Sequence, residues 1–177
     1  MVEVLVPNSL EQLDQVRDLM RAFVAWHRQR HVQDRPFIDY YFDADAFEHE
    51  LRTLPGKFAP PEGALLLARV DAAPAGCVAL RRIDARACEM KRMFLYPRFH
   101  GQGVGRALGE SIIRAGEALG YSVMRLDTSV RQTEAQALYE KLGFRSIEPY
   151  YELPRAIRDW LVFMELSLQP LARTGAN

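Results

Sequence analysis

A glycine-rich segment, HGQGVGRAL at residues 100–108, constrains the fold of this chain more than any other feature. It follows an apolar stretch, MFLYP at residues 93–97, and it opens a pattern of apolar residues at helical spacing. Glycines at alternate positions leave backbone N–H groups uncovered by side chains. The start of the next helix adds unpaired N–H donors and the positive end of a dipole. The segment therefore predicts a strand, a loop and a helix that together can hold a diphosphate.

Two common nucleotide-binding patterns do not fit this segment. A dinucleotide-binding fold needs G-x-G-x-x-G in an early βαβ unit, with an acidic residue about 20 positions later. Here the spacing is G-x-G-x-G in the middle of the chain. A P-loop needs Gly-Lys-Ser/Thr, which does not follow these glycines. Because glycines of this kind also occur in turns without a ligand, the rest of the chain has to decide their role.

Composition excludes several classes of protein. A chain of 177 residues suits one domain with a sizeable core. Its 23 basic and 23 acidic residues cancel, so no global field attracts nucleic acid or an anionic membrane. Cys77 and Cys88, the only cysteines, suggest neither a disulfide framework nor a metal site but free thiols, buried or half-buried. We therefore expect a cytoplasmic protein without a metal, a signal peptide or a membrane span.

Four helices are predicted from apolar spacing and capping residues. Ser9 with Gln12 forms a capping box before the first helix, and Ser129 with Gln132 forms another before the last. Asp43 is expected to cap the second helix. The third follows the glycine-rich loop and should end at a glycine. The predicted spans are residues 10–30, 43–54, 104–119 and 129–142.

Seven strands are predicted, and short turns make the second, third and fourth an antiparallel meander. Residues 29–41 and 149–159 are expected to be loops, and the tail after Leu168 is expected to be frayed. This order of elements predicts an α/β fold in which one mixed sheet carries helices on both faces. The predicted strands are residues 2–6, 64–70, 75–82, 87–96, 122–128, 144–147 and 161–168.

A second motif, AQALYEKLGF at residues 135–144, lies downstream of the glycine-rich loop. With both motifs in this order, the chain resembles the GNAT superfamily of acyl-CoA-dependent N-acetyltransferases from its first strand to Leu168. The resemblance implies a single domain over residues 1–168 and a tail over 169–177. It also implies a twisted, mixed seven-stranded sheet flanked by about four helices, with two central parallel strands that splay apart.

The resemblance implies that acetyl-CoA lies in the cleft between the splayed strands. Its pantetheine arm would pair with the strand before the loop, and its diphosphate would bind the loop amides. His100 stands where the family has Gln or Arg, and Gln132 stands where many members have Asn. Alternatively, Met93 and Leu95 are core side chains and Arg106 is a solvated helix residue. The implied coenzyme-binding residues are Met93, Phe94, Leu95, His100, Gly101, Gln102, Gly103, Val104, Gly105, Arg106 and Gln132.

The resemblance also implies roles for three side chains. Tyr139 matches a tyrosine near the thioester sulfur that protonates the departing thiolate as a general acid. An amine is mostly protonated at neutral pH, so a base is needed, and Asp127 and Glu89 are both candidates. The alternative for Tyr139 is an aromatic packing role. For either carboxylate, the alternative is an ion pair, for instance with Lys91, Arg92 or Arg125.

The expected reaction is direct transfer of an acetyl, or larger acyl, group from acetyl-CoA to an amine of a small molecule, amino acid or peptide. No covalent enzyme intermediate is expected. A non-catalytic acyl-CoA-binding module is the alternative, and a domain with an empty cleft is a third hypothesis. Homodimers are common in the family. The residues expected to wall the acceptor pocket are His27, His31, Asp39, Tyr40, Tyr41, Tyr150 and Tyr151.

Overall fold

Seven strands form one mixed sheet in the computed structural model, which describes residues 1–171. Each predicted strand is present, with ends that differ from the prediction by at most two residues. The strands are β1 (Val2–Leu5), β2 (Ala64–Val70), β3 (Ala73–Arg82), β4 (Ala87–Leu95), β5 (Val123–Ser129), β6 (Arg145–Ile147) and β7 (Leu161–Ser167).

The four predicted helices are all present. The Ser9 hydroxyl accepts a hydrogen bond from the Gln12 N–H at 3.2 Å, and the Asp43 carboxylate accepts one from the Ala46 N–H at 2.9 Å, so both predicted caps are confirmed. Two further short helices raise the number of α-helices to six within residues 1–171. The helices are α1 (Leu10–Arg30), α2 (Arg35–Tyr41), α3 (Ala44–Arg52), α4 (Val104–Ala118), α5 (Thr133–Lys141) and α6 (Arg155–Trp160).

The prediction of loops at residues 29–41 and 149–159 was wrong, because α2 and α6 lie there. Pro36 stands in the first turn of α2, where its fixed φ suits the helix and its missing N–H leaves no bond unmade. Pro154 likewise immediately precedes α6. Both helices are too short to show a periodic pattern. They are stabilised by burial of Ile38 in α2 and of Trp160 in α6.

The predicted capping box before the last helix was also wrong. Ser129 is the final residue of β5, and its hydroxyl accepts a hydrogen bond from the Arg131 N–H at 3.0 Å. Gln132 is itself the N-cap residue of α5 and makes no side-chain cap bond. The spacing matched the capping box, but the strand continues through Ser129 because its backbone pairs with Leu161 of β7.

The sheet has the order β1-β2-β3-β4-β5-β7-β6. Strands β2 to β4 form the expected antiparallel meander, and β1 pairs antiparallel with β2. Strands β4 and β5 are parallel, and β7 is antiparallel to both β5 and β6. The mixed seven-stranded sheet predicted from the sequence is therefore confirmed. The parallel pair of β4 and β5 lies at the centre of the sheet, where the meander meets the three C-terminal strands.

Each face of the sheet packs against its own hydrophobic cluster. Leu65 and Leu67 of β2 belong to the cluster that holds α1, α2 and α3, whereas Leu66 belongs to the cluster that holds α4 and α5. Helix α4 approaches α5 closely at Gly109, where an added Cβ would lie 2.4 Å from a Leu142 methyl group. This close approach fixes α5, and the residues it carries, beside the start of α4.

The two cysteines are free and buried, as predicted. Beyond β7, the Gln169 and Leu171 N–H groups donate to the side chain and the backbone carbonyl of Glu117, while the rest of the predicted tail, residues 172–177, lies outside the described residues. Within residues 1–171 no helix combines the length and the apolar character needed to cross a bilayer.

Candidate active site

A wedge-shaped cavity opens where β4 and β5 part. The two strands pair only from Ala87 with Val123 to Glu89 with Arg125. Beyond this point β4 continues along β3, and β5 continues along β7, so the facing edges of both strands are unpaired. The splayed parallel strands predicted from the resemblance are confirmed. The cavity, of about 70 Å³, is lined among others by Phe23, His27, Tyr41, Phe42, Lys91, Arg92, Met93, Asp127, Thr128, Gln132, Tyr139 and Trp160.

A β-bulge bends β4 at the cavity. Arg92 and Met93 together lie opposite the single residue Val78 of β3. Arg92 has a φ of +56°, a left-handed conformation that is uncommon for a residue with a side chain. Bulges of this kind increase the local twist and redirect the strand. The bulge therefore turns β4 away from β5 and gives the wedge its open shape.

The glycine-rich loop leads from the end of β4 to the start of α4. Gly101 and Gly103 have φ values of +75° and +80°, and an added Cβ at either position would meet nothing within 4 Å. The N–H groups of His100 and Gln102 donate to carbonyls of the preceding turn. Within the described residues, no acceptor bonds the other five amides, which belong to Gly101, Gly103, Val104, Gly105 and Arg106. Five free amides at a helix start form an anion-binding surface.

The side chains of the loop contribute less than its backbone. The Gln102 side-chain amide donates to the Arg98 carbonyl at 2.9 Å. The Arg106 side chain is 77% exposed and pairs with Glu110 at 2.7 Å. Both polar side chains are bonded to other groups of the protein, so the backbone N–H groups are the main donors of this site.

Tyr139 of α5 reaches the cavity from the side of the glycine-rich loop. Its ring packs against Phe144 with centroids 5.9 Å apart, and no group of the described residues bonds its hydroxyl. Burial, and then the charge of Asp127, raise the pKa of this phenol. Tyr139 therefore keeps its proton at neutral pH and can donate it.

Asp127 of β5 is buried at the cavity with two tyrosine hydroxyls on its carboxylate. Tyr41 of α2 donates at 2.5 Å, and Tyr151 donates at 2.7 Å. The Lys91 ammonium donates to the Tyr41 hydroxyl at 2.8 Å and lies 3.9 Å from the carboxylate. Burial and the charge of Asp127 raise the pKa of both tyrosines. The Asp127 side chain thus accepts hydrogen bonds from two protonated phenols and holds both in place.

Glu89 of β4 lies beside the cavity but does not line it. Its carboxylate accepts from Arg81 at 2.7 Å and from the Tyr150 hydroxyl at 2.5 Å, and the Lys91 ammonium is 3.6 Å away. Burial alone would raise the pKa of Glu89, but Lys91, Tyr150 and Arg81 together hold it below the usual value. A lowered pKa makes a carboxylate a weaker proton acceptor, and Glu89 does not face the cavity.

The predicted acceptor-wall residues divide into three groups. His27 and Tyr41 line the cavity, and burial lowers the pKa of His27 to about 4, so its ring is neutral at neutral pH. Tyr150 and Tyr151 stand behind the cavity wall, on the two carboxylates. The other three lie away from the cavity: Tyr40 is 54% exposed, Asp39 pairs with Arg28, and His31 packs on the rings of Trp26 and His27.

Gln132 lines the cavity at the start of α5. Its side-chain oxygen accepts from the Thr128 hydroxyl at 2.6 Å, which leaves its amide N–H groups free to donate. Phe94 faces the opposite side of the sheet, where its ring stacks on Phe23 at 5.4 Å. Of the predicted strand residues, Met93 lines the cavity, whereas Phe94 and Leu95 do not.

Sequence reasoning missed Lys91 and Arg92 as cavity residues and treated them only as ion-pair partners. Alternation along a strand places Glu89 and Lys91 on one face, and this signal was available. Arg92 could not be placed by alternation because the bulge shifts the register at that residue. Trp160 was missed because it belongs to α6, which the sequence did not predict.

Comparison with known proteins shows the family of this chain. The profile of the acetyltransferase (GNAT) family matches residues 17–144. An N-acetyltransferase of Schizosaccharomyces pombe is 40% identical over 109 residues, which are 60% of this chain and 67% of that protein. Human N-acetylaspartate synthetase is 34% identical over 98 residues, 54% of this chain, but the match spans only 32% of that protein.

Solved structures share the fold. A GNAT-family acetyltransferase from Staphylococcus aureus has a TM-score of 0.71 at 19% identity and covers 95% of this chain and 99% of its own. The PaiA N-acetyltransferase of Thermoplasma acidophilum, solved with coenzyme A, has a TM-score of 0.65 at 17% identity, covering 94% of this chain and 99% of its own. With the family profile matched across most of its length, this chain belongs to the GNAT acetyltransferase family, in which acetyl transfer from acetyl-CoA is general.

Proposed function

We propose that this chain transfers an acetyl group from acetyl-CoA to the amine of a small molecule, an amino acid or a peptide. One observation carries the proposal. A row of free amides at the start of α4 lies next to the open edge of β4, and this edge leads to a cavity that holds Tyr139 and Asp127. An anion site joined to a proton donor is what a thioester with a diphosphate tail requires.

The residues present fit the coenzyme in three places. The free amides from Gly101 to Arg106 suit the diphosphate. The unpaired edge of β4 beyond Glu89 offers N–H and C=O groups to the amide-bearing pantetheine arm, as an added strand would use them. The Gln132 side-chain amide provides one further donor at the cavity.

Proton transfer in this proposal rests on two side chains. The Tyr139 hydroxyl donates its proton to the sulfur of the leaving thiolate, while a backbone N–H of β4 near Met93 stabilises the oxyanion of the thioester carbonyl. Asp127 attracts the acceptor ammonium and draws off its proton directly or through water. Direct attack by the acceptor amine needs no enzyme nucleophile. The two cysteines are unsuited to that role, because burial raises the pKa of both thiols to about 12 and keeps them protonated.

Asp127 and Glu89 can be separated by paired variants. We expect Asp127→Asn to lower kcat at least about tenfold, because the cavity loses its only lining carboxylate. Glu89→Gln should lower the melting temperature, since Arg81 loses its charged partner, but folded protein should keep turnover near wild type. The opposite ranking of the two kcat values would give Glu89 the role assigned to Asp127.

The acceptor class draws support from one relative. The human protein is named as a synthetase of N-acetylaspartate, an amino acid acetylated on its amine. The cavity is small, and it places the Lys91 ammonium 3.9 Å from the Asp127 carboxylate. Neighbouring opposite charges suit a small acceptor that carries both an amine and an acid group.

The buried free thiols suit a reducing compartment, and we propose the cytoplasm.

Two measurements on the purified protein test this function. Calorimetry should detect acetyl-CoA binding, and a panel of amino acids, polyamines and peptides should release free thiol with at least one acceptor. Binding without thiol release from any amine would favour the non-catalytic acyl-CoA-binding module. Absence of coenzyme binding would overturn the proposal altogether.

A further inference from the structure

The bulge residue Arg92 is held by a buried ion pair that reaches it from another element. Its guanidinium donates to both oxygens of Glu50 in α3, at 2.7 and 3.2 Å. The two side chains are only 10% and 9% exposed. This forked geometry fixes the orientation of the guanidinium as well as its position.

Aromatic and polar groups complete the enclosure of this pair. The Arg92 guanidinium lies 4.9 Å from the ring centre of Phe42 and 5.5 Å from that of Phe47. The Lys57 ammonium contacts the second Glu50 oxygen at 2.6 Å. At the backbone, the Arg92 carbonyl accepts from the Cys77 thiol at 3.5 Å. Arg92 is thus held through both its side chain and its main chain.

The location of this pair gives it a consequence for the cavity. Arg92 has the left-handed φ of +56° that a side chain normally disfavours, so surrounding contacts must maintain it. Met93, the next residue, lines the cavity and shares the bulge. Any relaxation of Arg92 toward an ordinary strand conformation would rotate the peptide between Arg92 and Met93 and change where the Met93 N–H points.

We propose that Glu50 is a positioning residue for acetyl transfer, acting through Arg92 to hold the β4 bulge and so aim the backbone of Met93 into the cavity. This inference rests on the proposed function. Glu50 does not line the cavity, so it affects catalysis only through Arg92, which does. The exposed Arg21–Glu48 pair, at 3.2 Å, joins the same helix to α1 but does not touch β4.

Charge-neutral and matched control variants test the inference. Glu50→Gln should lower kcat about tenfold to a hundredfold, with a smaller change in KM for acetyl-CoA, because misdirected backbone donors affect the transition state most. Glu48→Gln removes the exposed pair two residues away and should leave kcat unchanged. If Glu50→Gln does not fold, Arg92→Lys serves instead, since it keeps the charge but loses the forked geometry.

Arg92→Gly separates positioning from simple relief of strain. Glycine adopts a φ of +56° without strain. The substitution therefore removes the conformational free-energy cost of this backbone conformation as well as the ion pair. If the pair only offset that cost, Arg92→Gly would recover wild-type kcat. We expect it to stay as slow as Glu50→Gln, because a glycine without an anchor leaves the bulge free to move.

Hydrogen exchange supplies a readout that does not depend on turnover. Amides of residues 91–95 should exchange about tenfold faster or more in Glu50→Gln than in wild type and Glu48→Gln. Wild-type kcat and unchanged exchange in folded Glu50→Gln would overturn the inference. An inactive wild type with faster exchange in the variant would instead contradict the proposed function and leave the role of Glu50 in holding the bulge supported.

Discussion

Tyr139→Phe will lower kcat about a hundredfold or more, because the departing thiolate loses its proton donor while the ring and its contact with Phe144 remain. KM for acetyl-CoA should change little, since the variant removes one oxygen from the cavity and leaves the free amides untouched. Steady-state kinetics with the best acceptor of the amine panel gives both values. Because burial raises the pKa of Tyr139, the phenol stays protonated near pH 7, and its titration should not contribute to the pH dependence of wild-type rates there.

Tyr121→Phe is the matched control for this result. Tyr121 belongs to the same hydrophobic cluster, but its hydroxyl donates to the Glu62 carbonyl at 2.7 Å, away from the cavity. Its loss should cost about 1 kcal/mol of stability and leave kcat near wild type. Equal kcat values for Tyr139→Phe and wild type would remove the phenol from the mechanism, whatever the control shows.

Gly103→Val will weaken acetyl-CoA binding about tenfold to a hundredfold as measured by calorimetry. Gly103 has a φ of +80°, which a β-branched residue disfavours, and a side chain there would rise beside the five free amides. An added Cβ meets no protein atom within 4 Å, so the cost of the variant in the free protein comes from the backbone conformation rather than from contacts of the Cβ. The effect should therefore appear mainly when the diphosphate approaches.

Gly120→Val separates this effect from backbone strain. Gly120 follows the C-terminal end of α4, opposite the free amides, and has a φ of +89°. Both variants should lower the melting temperature, because each places a β-branched residue in the left-handed region. Only Gly103→Val should lose affinity for acetyl-CoA. Equal weakening by both variants would show that general strain, rather than the position of the free amides, controls binding.

Much of the site could be predicted from local sequence. The glycine-rich loop, the strand before it and the segment with Tyr139 are each defined by near neighbours in the chain. The structure places the strand and Tyr139 at one cavity, and the loop follows the end of that strand. Even there the local pattern was incomplete. It did not show that the His100 and Gln102 amides are already bonded within the preceding turn, so that five amides rather than seven are free.

The partners of the carboxylates could not be predicted, because they come from distant parts of the chain. Tyr41 and Asp127 are 86 residues apart, and Tyr150 and Glu89 are 61 residues apart. Sequence reasoning assigned the tyrosines to the acceptor wall and left the two carboxylates as equal candidates. Asp127 lines the cavity and Glu89 lies beside it, and the partners of both carboxylates depend on how the segments carrying Tyr41, Tyr150 and Tyr151 pack against the sheet.

Local sequence was enough to predict the order of strands and main helices along the chain, the glycine-rich loop and the helix that carries Tyr139, because apolar periodicity, capping residues and glycines act over a few residues. Tertiary structure alone decided the short helices α2 and α6, the bulge at Arg92 and its anchor on Glu50. Burial stabilises these features, and an ion pair between residues 42 apart has no local signal. The shape of the wedge depends on such contacts, which form only when the whole sheet is assembled.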